Sequence, residues 1–304
     1  MSTDIPNEPE EFIIPPSAID TLRHHSAASP VHVDLSALSH PGLLRQRNED
    51  TFLVVRGHRG LEVLTTNVGD ASMPPRFGIN AFGMLVADGM GSMAAGDLAS
   101  RLATQTLVAL VLRTPDWIML TGTQENDAIL ARMAERYRRV DSALREEATV
   151  NPRLIGMGTT MTVAFNLAAD LFVCHVGDSR GYLLRGGELQ RLTRDHTLAE
   201  ALADVGAIPT NEVVKHQFRH MLTRYLGAPK PVKADVLQMR LADGDQVLLC
   251  TDGLTEMLEE AAITVILREA KTAEEACQAL IAAALRQGGK DNVTVALARY
   301  RFQS

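Results

Sequence analysis

Two chemistries compete for the stretch FVCHVGDSRGYLL, residues 172–184. Cys174-x-x-Gly177-x-x-Arg180 has the spacing of a cysteine-dependent phosphatase loop, with a thiolate nucleophile and a guanidinium for the phosphate. Asp178, at the end of the apolar run LFVCHVG, is instead a carboxylate where a metal ion could sit. Both readings point to phosphate-ester chemistry, but they name different nucleophiles.

Asp178 has company. Asp50 in RQRNEDTFL, Asp88 in LVADGMGS, Asp252 in LLCTDGLTE and Asp291 in GGKDNVTV each adjoin an apolar strand-like run. One such aspartate is ordinarily a turn or capping residue. Five brought together would repel one another unless cations neutralised them. No Cys/His spacing suits zinc, and Asp oxygens with neighbouring backbone carbonyls suit hard ions such as Mg2+ or Mn2+. A pair of such ions can lower the pKa of a bridging water and present hydroxide to phosphorus. Arg45, five residues before Asp50, is the candidate for gripping the phosphate through parallel hydrogen bonds.

The cysteine reading fails on three physical grounds. Such a loop must wrap its N–H groups around the anion and run into a helix N-terminus. Here Arg180 runs into GYLLRGGELQRL, a strand and hairpin, and Asp178 would sit inside the anion cradle. The alternation of LFVCHVG also makes Cys174 a packed strand residue, as Cys250 and Cys277 are read to be core. His216 and His220 have i, i+4 spacing, but no third ligand stands near them in sequence. His196 is read as making a local structural hydrogen bond.

The elements that must position these residues show in the periodicity. Strands are predicted at 51–55, 82–88, 159–165, 171–177, 181–185, 188–192, 245–250 and 292–300, with Gly186-Gly187 as a two-residue hairpin turn. One helix should bury Leu98, Leu102, Leu107, Leu110 and Val111; a second, Ile129, Met133, Tyr137, Val140 and Leu144. A third groups Leu198, Ala201, Leu202 and Val205. The last opens with the capping box Thr272-x-x-Glu275, buries Ala276, Cys277, Leu280, Ala284 and Leu285, and stops at Gly288. Hairpin-spaced strands with helices between groups of them mean α+β, satisfied by two packed sheets with helices outside. Residues 1–28 read as a flexible acidic tail or a partly docked arm, and residues 29–304 as one domain.

Composition narrows the classes. A net charge of −7, from 30 Lys+Arg against 37 Asp+Glu, leaves no basic surface for nucleic acid. Three unpatterned cysteines fit a reducing compartment. With no apolar run of membrane-spanning length and an acidic start, a cytoplasmic location is expected.

The segments RQRNED, ADGMGS, GTTMTVA, VGDSRGYLL, LTRDHT, CTDGLTEML and GGKDNVTV, in this order, resemble the metal-dependent serine/threonine protein phosphatases, the protein phosphatase 2C (PPM) family in its bacterial form. The resemblance runs from about Leu35 to Phe302. It implies an αββα four-layer sandwich of two mainly antiparallel sheets flanked by helices. It also implies two or three Mn2+ or Mg2+ ions and hydrolysis of phosphoserine and phosphothreonine by metal-activated water. Under it, Asp50 and Asp88 contact the metal pair, Gly89 supplies a backbone carbonyl, and Asp252 and Asp291 hold the second ion. Arg45 binds the phosphate, and Asp178 with Asp252 holds a third, weaker ion; Glu256 and Glu49 are accessory acids. Phosphoproteins, including a Ser/Thr kinase or its substrates, are the implied partners of a monomeric enzyme without nucleic-acid or membrane contacts. The rival reading keeps the fold as a regulatory module that binds a phosphoprotein or kinase with little activity. Two departures stand out. Met90 replaces the proton-donating His of animal members, and residues 58–82 form an extended link, either a long hairpin or a partner-binding loop. Residues 195–226 occupy the place of the family's flap and are expected to form a helix and loop that selects substrates.

Overall fold

The computed structural model describes residues 31–62, 65, 76–91, 95–113 and 124–302. The tail 1–28 and the tip of the 58–82 segment lie outside those residues. Alternating apolar runs give two five-stranded sheets, each antiparallel throughout. One has the order β1 (Val31–His40), β12 (Val293–Phe302), β11 (Gln246–Cys250), β8 (Arg180–Arg185), β9 (Glu188–Arg191). The other runs β10 (Asp235–Arg240), β7 (Asp170–Val176), β6 (Met161–Leu167), β3 (Arg76–Ala87), β2 (Thr51–Glu62). A short pair, β4 (Gly89–Met90) and β5 (Gly158–Thr159), extends from the end of β3. Gly186 and Gly187 turn β8 into β9 with φ of +59° and +88°, the left-handed conformations a two-residue hairpin requires.

Apolar side chains from both sheets, among them Val86, Leu171, Leu183, Leu249 and Ala298, fill the space between them. On the outer face of the β2–β10 sheet lie α1 (Ala95–Arg113) and α2 (Gln124–Val150). On the other sheet lie α5 (Glu260–Glu269) and α6 (Ala273–Arg286); α3 (Leu198–Asp204) and α4 (Asp252–Thr255) are shorter. The layers are therefore helix, sheet, sheet, helix, as expected. Thr272 caps α6 by accepting from Glu275 N–H at 3.1 Å, while the Glu275 carboxylate reaches back to Lys271 N–H at 2.9 Å, one residue earlier than a capping box predicts.

Several expectations change in the structure. The predicted face of α2 is buried intact, from Ile129 through Leu144. On α1 the fully buried residues are Ala99, Ser100 and Ala103; Leu107 is buried as predicted, while Leu98, Leu102, Leu110 and Val111 only flank them. Small side chains let this helix approach the sheet closely, which a search for leucines overlooks. On α3 the buried residue is Ala199, and Val205 is exposed. Two strands that periodicity missed are β1, whose Val33, Leu35 and Ala37 face the inter-sheet core between polar residues, and the partly exposed edge strand β10. The 58–82 segment extends the β2–β3 hairpin, pairing out to Glu62 with Arg76.

Candidate metal centre

Antiparallel register gathers the five aspartates at one end of the sandwich. Thr51 pairs with Ala87, which sets Asp50 beside Asp88. Cys250 pairs with both Val295 and Arg180, which brings the ends carrying Asp252, Asp291 and Asp178 together. Asp50 Oδ2 accepts hydrogen bonds from Thr251 Oγ1 at 2.8 Å and Thr294 Oγ1 at 2.7 Å, while its Oδ1 is closed off without a partner. Asp252 Oδ1 is likewise buried and unpartnered. Asp88 is fixed through its backbone: its N–H donates to Thr160 Oγ1 at 3.0 Å, and its carbonyl accepts from Thr160 N–H at 2.9 Å and Thr159 Oγ1 at 2.8 Å. Gly89 has no room for a side chain, since a Cβ there would lie 2.1 Å from the Gly96 carbonyl oxygen.

Crowded, desolvated carboxyl groups hold their protons. Burial, partly offset by the two threonine hydrogen bonds and reinforced by Asp252 and Asp291, raises Asp50 to about 7. Burial, then Asp291 and Glu256, raises Asp252 to about 6, with a side-chain hydrogen bond to Asp88 opposing the shift. Asp88 and Asp178 are pushed well above the usual carboxylate range, by burial first and then by their acidic neighbours. Glu49 is also raised, mainly by burial.

Arg45 Nη2 donates to Asp291 Oδ2 at 2.6 Å, and the arginine side chain is 59% exposed, so most of its fork faces solvent at the rim. The loop carrying it is held by Asn292, whose side chain donates to the carbonyls of Pro41 at 2.9 Å and Arg47 at 2.8 Å and accepts from Glu49 N–H at 2.8 Å. Gly253 makes room for that strand end, because a Cβ there would lie 2.0 Å from the Asn292 carbonyl oxygen. Asn292, Thr251, Thr294, Thr159 and Thr160 were missed by the sequence reading. The only available signal was that four of the five adjoin a motif aspartate or belong to GTTMTVA.

Glu256, close enough to act on Asp252, also pairs with the flap: its Oε2 meets Arg219 Nη2 at 3.3 Å and His220 Nε2 at 3.6 Å. Arg180 pairs with Asp195 at 2.8 Å, joined there by Arg191. His196 accepts from Gly177 N–H at 3.1 Å and meets Asp235 at 2.9 Å, the structural role expected of it.

Among the described residues, no group of three or more His, Cys, Asp or Glu side chains forms a ready cage for an ion. The donor set nevertheless fits hard divalent cations. It is all oxygen, two buried carboxylate oxygens lack any partner, and burial and mutual repulsion raise the proton affinity of four of its acids.

Cys174 is fully buried in β7, and burial pushes its thiol far up, away from the thiolate a nucleophile needs. Cys174→Ser is accordingly expected to retain turnover within about three-fold, since the replacement loses only packing. A folded Cys174→Ser protein with no activity in a steady-state assay would restore the thiol mechanism.

Comparison with known proteins agrees with this geometry. The family model described as Protein phosphatase 2C matches residues 78–292, taking in Asp88, Asp178, Asp252 and Asp291 and starting downstream of Arg45 and Asp50. The chain is 34% identical over 214 residues to the serine/threonine phosphatase stp of Listeria innocua, covering 70% of this chain and 82% of that one. It is 37% identical over 215 residues to the serine/threonine protein phosphatase PstP of Mycobacterium tuberculosis, covering 71% of this chain and 40% of PstP. Among solved structures, the M. tuberculosis PstP/Ppp phosphatase superposes with a TM-score of 0.71 at 33% identity, covering 88% of this chain and 99% of that one. The PstP catalytic domain in complex with two manganese ions gives 0.69 at 32% identity, covering 89% and 99%. Fold, carboxylate set and sequence match converge: the chain belongs to the protein phosphatase 2C family.

Proposed function

We propose that this protein is a metal-dependent phosphoprotein phosphatase that hydrolyses phosphoserine and phosphothreonine. The observation carrying the proposal is the cluster of acids at one sheet end, with two buried carboxylate oxygens that have no partner in the protein and that a cation would satisfy. Family membership and the phosphatase names of the relatives support it. Asp50, Asp88, the Gly89 carbonyl, Asp252 and Asp291 would hold two Mn2+ or Mg2+ ions, and Asp178 with Asp252 a third. Bound there, the ions supply Lewis acidity and an activated water for attack on phosphorus.

The chain's own residues do the remaining work. Thr251 and Thr294 fix one Asp50 oxygen and leave the other free to turn to an ion. Thr159 and Thr160 hold the Asp88 backbone, and Asn292 sets the Arg45 loop. Arg45 grips the substrate phosphate from the rim. Residues 29–304 form the catalytic domain, working as a monomer in the cytoplasm in signalling opposed to a Ser/Thr kinase. No helix among the described residues is long and apolar enough to cross a bilayer.

The test is an assay on phosphoserine and phosphothreonine peptides with and without Mn2+. Full turnover in chelator would reject the reading. Arg45→Ala is expected to raise KM by about ten- to a hundred-fold, the effect of losing one charge-assisted contact of about 1.5–3 kcal/mol. Unchanged KM and kcat would leave Arg45 as a partner of Asp291 alone.

A further inference from the structure

The end of the flap and the residues after it, 223–233, line an open cleft of about 360 Å3, within the size range of clefts that take ligands. Tyr225, Ala228 and Val232 give it an apolar floor, and Lys230 and Lys233 stand at its exposed rim. The cleft is built, not incidental. Asp141, fully buried on α2, accepts from Gly227 N–H at 2.9 Å and Val232 N–H at 3.4 Å and pairs with Arg145 at 3.1 Å, which pins both ends of the turn. Pro229 and Pro231 stiffen the backbone between those anchors.

Its location ties it to the metal centre. Leu226 exchanges backbone hydrogen bonds with Thr159 at 2.9 and 3.0 Å, and Thr159 in turn holds the Asp88 carbonyl. Tyr225 packs on Gly158, which pairs with Met90, two residues beyond Asp88.

Its charge is unlike that of the rest of the chain. In a protein of net charge −7, residues 223–234 contain Arg224, Lys230 and Lys233 and no acid. Arg224 is committed to Asp235 at 2.8 Å, whereas neither lysine makes an ion pair among the described residues. On an otherwise acidic chain, the two lysines offer an acidic flanking residue of a substrate a cationic partner beside the centre. An apolar floor under a cationic rim matches a peptide carrying an apolar anchor among acidic residues, more than a bare anion.

We propose that this cleft docks an acidic segment, with an apolar anchor, of the phosphoprotein substrate. The proposal rests on the phosphatase reading for the identity of the partner, but the docking itself can be measured without turnover.

The experiment uses the full chain and a fluorescein-labelled, unphosphorylated peptide of alternating Glu and Leu, with a Gln-for-Glu peptide as control. Anisotropy is expected to show tighter binding of the Glu peptide, weakening with added NaCl as exposed charge pairs are screened. Lys230→Gln with Lys233→Gln should lower that affinity about three- to ten-fold, the scale of two exposed charge contacts. In parallel, the ratio of kcat/KM for an acid-flanked over a Gln-flanked phosphopeptide should exceed one and fall toward one in the double variant. A conservative Lys230→Arg, Lys233→Arg variant should restore both readouts. Equal binding of the two peptides, or an unchanged preference in the Gln variant, overturns the proposal. So does inorganic phosphate displacing the peptide as effectively as an unlabelled Glu–Leu peptide, which would mark a simple anion site. Should neither phosphopeptide be hydrolysed while the anisotropy differences hold, the phosphatase reading falls and the docking site stands.

Discussion

Asp252→Asn is expected to lower turnover of a small aryl phosphate by at least about a thousand-fold, the equivalent of about 4 kcal/mol of transition-state stabilisation. Asp252 is the residue through which the acids of the site interact: it feels Asp291 and Glu256, and raises the proton affinity of Asp50, Asp88 and Asp178. An amide keeps the shape and removes the charge that would draw a cation. The same change should not damage the fold. In chelator at pH 7, the neutral amide relieves repulsion that opposes folding by on the order of 1–3 kcal/mol, so thermal unfolding should come at the same or a higher temperature than in the unsubstituted protein. Loss of activity with a raised or equal melting temperature separates a metal ligand from a structural acid. A marked fall in melting temperature in chelator would mean that Asp252 stabilises the fold directly, and retained turnover would remove it from the centre.

Divalent cations should stabilise the protein strongly at neutral pH and weakly in acid. Unfolded aspartates titrate near pH 4, whereas folded Asp50 titrates at about 7 and Asp252 at about 6, with Asp88 and Asp178 also raised. Between about pH 4 and 7 these acids therefore bind more protons in the chelated folded state than in the unfolded state, and their contribution to stability falls as pH rises, against the opposite contribution of buried His175 and His196, whose burial favours the neutral ring. Stability contributed by the protonated acids is complete below the unfolded value and lost on passing through the folded ones. Cation binding needs the deprotonated carboxylates, so it strengthens over the same interval. At a hundred times its Kd one ion adds about 2.7 kcal/mol, which for a chain of this size is about 4 °C in Tm. Unfolding scans at pH 5 and 7.5, with chelator or with Mn2+, measure the difference directly. An Mn2+ increment that is equal at both pH values would contradict an acid cluster that binds metal; the chelated Tm alone does not decide, because buried His175 and His196 add stability as pH rises.

What the sequence determined by itself was the set of acids and the type of element each one ends. Asp88, Asp178 and Asp252 follow apolar strand runs directly, and Asp50 and Asp291 precede them, so local alternation was enough to place them. The helix from Ile129 to Leu144 and the cap at Thr272 were legible for the same reason, since both depend on residues within one or two turns. The partners of the site depend on contacts no local pattern carries. Thr251 and Thr294 reach Asp50 across 201 and 244 positions, and Arg45 finds Asp291 across 246. A threonine in a strand or just beyond its end looks alike whether it faces solvent or holds a carboxylate, so only packing could select these two. The sheet register, the close seat of α1 on Ala99 and Ala103, and the cleft pinned by Asp141 are likewise tertiary outcomes. Periodicity reports which side of an element is apolar, but the distance to its neighbour, and the polar atoms enclosed there, are fixed only when the layers close.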